Sequence, residues 1–264
     1  MAITTLDQLT AALDARQGFN LFKPSMGAKA AGTFQSLWMA AGIPSAGLAP
    51  VSVGGAAPNS ATVGVLPFIN PATGKTYIGK VQMSGATVGS LILYDRLVHT
   101  ALLNGTLITA QTVNSAALTR ATTGVGVEPW LEWYTATGAT ASNVSLSYTN
   151  QAGTAGRATP LTAMPSAPAI GQMMPLPLAA GDTGVRSVQT LTLSANTLTA
   201  GSFGITLMKR LAAIPISIPN VGVVLDFAAL GMPDIENNAC LSMMVMCSTT
   251  NTGVFLGSTD LIQG

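Results

Sequence analysis

Leu91-Ile-Leu-Tyr-Asp-Arg-Leu-Val98 is an apolar run interrupted only by Asp95 and Arg96, and the turn pair Asn104-Gly105 follows it. A short run of this kind, closed by turn residues, predicts a β-strand. Working outward, residues 130–134 predict a second strand. Residues 143–149 predict a third, with Val144, Leu146 and Tyr148 alternating on one face. Thr137-Gly138 separates these two, and Gly153 to Gly156 closes the third. Further strands are predicted over 188–195, 203–209, 221–226 and 241–247, with Phe203, Ile205 and Leu207 again on every second position. Turns at intervals of roughly ten residues fit an antiparallel β-sandwich of the jelly-roll kind. A parallel sheet would need crossover helices, and no amphipathic helix separates these strands.

The region before the strands reads differently. Thr5 and Gln8 have capping-box spacing, and Leu6, Leu9 and Leu13 form one stripe, which predicts a short helix stopping at Gly18. Phe34, Leu37, Trp38 and Ala41 predict a second helix over 33–41, ended by Gly42 and Pro44. Residues 43–70 are uncharged and rich in Pro, Gly, Ala and Ser, so they predict an extended arm suited to lying against another subunit. The expected division is a helical and extended arm over 1–75 and a β-sandwich domain over 76–264, with the sandwich folding without the arm. A proline-bearing segment, 159–178, predicts an exposed loop or a sheet edge.

Only 21 of the 264 residues are charged, 11 Lys or Arg and 10 Asp or Glu, whereas 48% are apolar. About a quarter of an ordinary domain is charged. The chain therefore has the apolar content to pack a core, and disorder through low hydrophobicity is excluded. A net charge of +1 with scattered cations provides no basic face, so no direct nucleic-acid partner is expected. The mean hydropathy of +0.47 raises a membrane reading. However, the long uncharged stretches are broken by Pro or filled with Thr and Ser, and no membrane partner or secretion signal is expected. With so few charges to hold copies apart, much of the outer surface is expected to be covered by other chains.

Chemistry-bearing residues are sparse. His99 is the only histidine, and no nucleophile-elbow, zinc-protease or phosphate-loop motif is present. No catalytic residue, cofactor or metal ligand is assigned, and an enzyme is not expected. Asp95 and Arg96 must point to opposite faces of their strand, so either one of them has an ionic partner or an interface, or the strand is an edge whose outer face is wet. Glu128, Glu132, Arg120 and Arg186 are the candidate partners. Glu128 and Glu132 lie about 13 Å apart if both are in one strand, too far for a retaining glycosidase pair. Cys240 and Cys247 point to opposite faces at a spacing of seven and read as buried thiols. The large or adaptable residues Phe34, Trp38, Trp130, Trp133, Met173 and Met174, with Asp95 and Arg96, are the interface candidates.

Four blocks carry a family likeness. They are Gly85-Ala-Thr-Val-Gly-Ser-Leu-Ile-Leu-Tyr-Asp-Arg-Leu97, Gly124-Val-Gly-Val-Glu-Pro-Trp-Leu-Glu132, Ser147-Tyr-Thr-Asn-Gln-Ala-Gly-Thr154 and Gly181-Asp-Thr-Gly-Val-Arg-Ser187. Together they resemble a group of tailed-bacteriophage virion structural proteins, over about residues 67–264. The resemblance implies a virion component. Combined with the charge deficit, the expectation is a decoration or cement protein on the outer head surface, contacting other copies of itself, with a trimer favoured, and the major capsid protein. A tail or collar component is the alternative, and a carbohydrate-binding sandwich using Trp130, Trp133 and Glu132 is a third.

Overall fold

A computed structural model describes residues 3–24, 30–250 and 253–264, leaving aside the side chain of Cys247. Thr5 Oγ1 accepts the Gln8 N–H at 3.3 Å and Gln8 Oε1 accepts the Thr5 N–H at 3.1 Å, so the expected capping box starts helix α1 (Leu6–Asp14). The helix stops at Ala15, earlier than Gly18, because Gly18 already belongs to β1 (Gln17–Lys23). The chain continues through β2 (Phe34–Ser36), β3 (Thr76–Gly85), β4 (Gly89–His99), β5 (Gln111–Thr112), β6 (Val127–Thr135) and β7 (Asn143–Asn150). Then come β8 (Arg157–Ala158), β9 (Thr162–Ala163), β10 (Gln172–Pro175), β11 (Val185–Leu193) and β12 (Ser202–Ile216). The last elements are β13 (Val223–Asp226), the single-turn helix α2 (Phe227–Leu230), β14 (Asp234–Ile235), β15 (Leu241–Cys247) and β16 (Phe255–Gln263). The class is mainly β and the sheets are antiparallel, as the alternating pattern predicts.

Two compact units share the chain. The first comprises Met1–Leu48, Asn59–Asp95 and Leu211–Gly264, the second Ala49–Pro58 and Arg96–Arg210. Strands β4 and β12 each continue from one unit into the other, so the units do not divide at residue 75.

In the first unit, β1, β16, β3 and β13 hydrogen-bond in that order, with β14 also on β3. Strand β15 pairs with β2 and β4. The inward residues of these two layers meet in one core, where Leu21, Met83 and Phe255 pack with Leu91, Met243 and Ile214. Residues 33–41 are not a helix. Phe34 and Ser36 pair with Met246 and Met244 of β15, and a turn follows in which the Ala40 N–H bonds to Leu37 O at 3.2 Å. Their spacing suits a strand followed by a tight turn as well as a helix, and pairing with β15 decides between them. Residues 43–70 are irregular, as expected, yet they pack on their own chain. Val65, Leu66 and Phe68 are buried in this core, and the Leu66 N–H donates to Leu241 O at 3.1 Å.

In the second unit, β5, β11, β7 and β8 form a sheet with β9 on β7, while β6 pairs with β10 and β12. Between the two layers lie Val144, Leu146, Tyr148 and Leu191 from one side and Leu131, Trp133, Phe203 and Ile205 from the other. The rings of Trp133 and Phe203 stack at 5.9 Å. Much of the segment 159–178 is exposed, as its prolines predict, with Pro160, Pro175 and Pro177 open to solvent, but Gln172 and Met173 are buried because β10 lies beside β6 with Met173 opposite Glu132. Pro175 ends that strand, where a missing donor disturbs the ladder least.

Candidate functional site

The alternation that puts Leu131 and Trp133 of β6 into the sandwich core turns Trp130, Glu132 and Tyr134 to the other face of the strand. That face is also buried, and Glu132 is 0% exposed. Its carboxylate is held by a fork. Arg96 Nη1 donates to Oε2 at 2.6 Å and Nη2 to Oε1 at 3.1 Å. Thr206 Oγ1 donates to Oε2 at 2.6 Å and the Tyr134 hydroxyl to the same oxygen at 3.2 Å. Arg120 Nη2 fastens the neighbouring backbone, donating to Arg96 O at 3.1 Å and to Pro58 O at 2.8 Å. Burial first, and then the negative charge of Glu132, push the Tyr134 phenol well above its usual range.

Adjacent Asp95 and Arg96 thus both find partners, one on each face of β4. Arg96 takes Glu132, one of its candidate partners, while Asp95 Oδ1 accepts the Cys240 N–H at 2.8 Å. Cys240 is buried, as expected, and the expectation for the Cys247 side chain falls outside the described residues.

His99 ends β4 and is buried. Its backbone exchanges hydrogen bonds with Ala56 at 3.0 and 3.1 Å. Burial, then the positive charge of Arg96, lower the imidazole to about 4, with Glu132 opposing. The folded chain therefore holds His99 neutral, whereas the unfolded chain protonates it below its ordinary 6.5. Between those values the unfolded state binds the extra proton, so acidification from about pH 6.5 to about pH 4 destabilises the fold. Below pH 4 both states are protonated and the slope from this group ends. The loss expected is on the order of 3 kcal/mol. Urea midpoints at pH 7 and pH 4.5 measure it, and His99→Gln is expected to flatten the difference.

A second carboxylate serves a structural end. Asp182 accepts from the Tyr148 hydroxyl, from Asn150 Nδ2 at 2.7 Å and from Arg157 Nε at 2.9 Å, which ties the loop before β11 to β7 and β8. Arg157 foremost, then Tyr148, hold this carboxyl down to about 2. A cleft of about 310 Å³ is lined by Pro129, Trp130, Pro175, Leu176, Pro177 and Glu128. Its one carboxylate is occupied, since Glu128 Oε2 accepts from Trp130 Nε1 at 3.0 Å and from Arg210 Nη2 at 3.2 Å.

These positions correct several expectations. Trp38, Asp95, Arg96, Trp130, Trp133 and Met173 are buried inside their own units and offer no interface surface, while Phe34 and Met174 are half-buried. The aromatic residues were selected for size, but large apolar side chains fill cores before they serve surfaces. The carbohydrate reading fails on the same ground. Trp130 and Trp133 are 1% and 0% exposed, so neither ring has a face for a sugar.

The exposed apolar side chains are smaller and lie elsewhere. On the outer face of the first unit, Ile43, Phe22 and Leu256 are cross-strand neighbours, with Val224 exposed on β13. In the second unit, Leu102, Leu107, Ile108 and Leu198 crowd one end of the sandwich. Sequence reasoning missed all of these. The only available signal was that the stretches around the second group hold no charge.

No protein-family model and no curated protein matches the sequence. Among solved structures, the chain has a weak likeness to the VP2 subviral particle of infectious bursal disease virus, at 9% identity and a TM-score of 0.23. That match covers 95% of this chain and 82% of the other. The Gt strain of the same virus matches at 8% identity and a TM-score of 0.19, covering 94% and 81%. At such scores the backbones do not superpose as one fold, and neither match bears on what this chain does. Among the described residues, no helix is long and apolar enough to cross a membrane.

Proposed function

We propose that this protein is a non-enzymatic structural component of a virion, and that in a tailed bacteriophage it decorates or cements the head. The observation that carries the reading is the character of its surface. Only 8% of residues are charged, yet eighteen large apolar side chains stand exposed among the described residues. Single exposed leucines are ordinary, but a surface this poor in charge has little to keep copies apart in solution. Burial against neighbouring subunits removes the difficulty, at about 25 cal/mol per Å² of apolar area hidden. The blocks that resemble tailed-phage virion proteins support the same conclusion, as does the inaccessibility of Glu132, Arg96 and His99 to any substrate. The partners in this reading are other copies of the chain, as a trimer at a threefold position, and the major capsid protein.

Imaging of intact particles carrying a labelled copy tests the proposal. Hundreds of copies over the outer head surface are the expected result. A ring of a few to dozens at the neck or along the tail would favour the tail or collar reading. Absence of the label from purified particles would overturn the virion role altogether.

A further inference from the structure

Three stretches of the second unit carry no charged residue at neutral pH: 97–119, where His99 is the sole titratable side chain, 133–156 and 187–208. In the sequence they are scattered, but the fold gathers their loops. Strand β6 ends at Thr135, which pairs with Ser202 at the start of β12. Strand β7 begins beside Leu193, the last residue of β11. The loops 136–142 and 194–201 therefore emerge at one end of the sandwich, and the segment following β4 joins them there.

Hydrogen bonds lace the three together. The Gly105 N–H donates to Ala200 O at 2.7 Å, the Thr197 N–H to Gly105 O at 2.9 Å, and the Gly138 N–H to Thr197 Oγ1 at 3.3 Å. Glycine is required at 138, where a Cβ would stand 1.6 Å from Thr197 O. The loop after β4 is also braced internally. Asn104 Oδ1 accepts the Thr106 N–H at 2.8 Å, and Gln111 bonds both the N–H and the carbonyl of Asn104. On this preordered frame stand Leu102, Leu107, Ile108 and Leu198, the last 76% exposed. Leu102 and Leu198 have φ of 65° and 70°, a left-handed backbone that leucine disfavours. The surface ion pairs of this unit lie at its other end, with Arg157–Asp182 near the Asn150–Val185 pairing and Glu128–Arg210 beyond the Val127–Lys209 pairing.

We propose that this uncharged loop end of the second unit is the surface through which the protein contacts a second copy of itself; the inference rests on the self-assembling reading above. Charge selects the occupant. Copies related by a symmetry axis bring identical groups together, so an ionisable side chain near the axis would meet its own like, whereas a neutral apolar tip complements itself. A nucleic acid or an anionic headgroup would call for cations that this end lacks. Preordering limits the entropy lost when the tip is buried.

Sedimentation of the full chain over a concentration series tests the assignment. Leu102→Asn/Leu198→Asn replaces two strained leucines by a residue that tolerates the left-handed region. It is expected to weaken association at least tenfold while leaving the thermal midpoint of the dissociated chain unchanged or raised. Leu107→Asp is expected to dissociate the assembly. Leu256→Asp, on the outer face of the first unit, should associate as the parent does. Parent-like association of both tip variants, with native circular dichroism, would overturn the tip assignment alone, as would dissociation by Leu256→Asp only. A parent chain that stays monomeric at every concentration would overturn both the assignment and the self-assembling reading.

Discussion

Glu132→Gln is expected to cost about 3–5 kcal/mol of stability, because it leaves the Arg96 guanidinium buried without a counter-charge. The neutral amide can still accept one Arg96 N–H, but its own NH₂ then faces Arg96 Nη1 and the Thr206 hydroxyl, both of which donate to Glu132 Oε2 in the native chain. A domain's whole stability is commonly about 5–15 kcal/mol, so the variant should shift the urea midpoint far down. Arg96→Met/Glu132→Leu should recover only part of the loss, since the Thr206 and Tyr134 hydroxyls both donate to the lost carboxylate. Adding Thr206→Val and Tyr134→Phe removes those stranded donors and should bring stability close to that of the parent. A small effect of Glu132→Gln, with an unchanged dependence on urea, would mean that water reaches this site.

Deletion of residues 1–75 is expected to prevent cooperative folding of the first unit. It removes β1, whose seven residues pair with β16, together with β2 beside β15. It also removes Leu21, Leu37, Trp38, Val65, Leu66 and Phe68 from the core. Truncating one buried Phe or Trp typically costs about 3–5 kcal/mol, and a Leu about 2–5. Several such losses together exceed what a domain has. The truncated chain should show no sharp thermal or urea transition for this unit and should expose apolar surface to dyes. A milder variant isolates the cause. Trp38→Ala removes a buried indole whose Nε1 donates to Leu48 O at 2.8 Å, and it should lose about 3–5 kcal/mol with strand content retained. A soluble 76–264 fragment that unfolds cooperatively would show that the N-terminal segment is dispensable to the fold, as its sequence alone suggests.

The contrast between that segment and the strands marks where reading from sequence succeeds. Alternation in 143–149 and 203–209 depends on neighbours two residues apart, so the β class and the burial of Leu146 and Ile205 were legible without coordinates. The Thr5 and Gln8 cap was equally local. The argument that Asp95 and Arg96 point oppositely, leaving either a partner for one of them or a wet edge, also required only strand geometry. It placed Glu132 among the candidates.

Local pattern could not decide what depends on pairing across the chain. Phe34 to Ser36 became a strand because β15 was there to meet it, and the uncharged stretch after it was drawn into a core by contacts far away in sequence. Burial has the same character. Size and polarity mark Trp38, Trp130, Trp133 and Met173 as important, but only packing tells whether importance means an interior or a surface. The sequence by itself therefore determined a charge-poor, antiparallel β protein with adjacent opposite charges on one strand. Tertiary structure alone decided which carboxylate paired with Arg96 and which apolar side chains were left facing out, because both follow from register between segments that local periodicity does not relate.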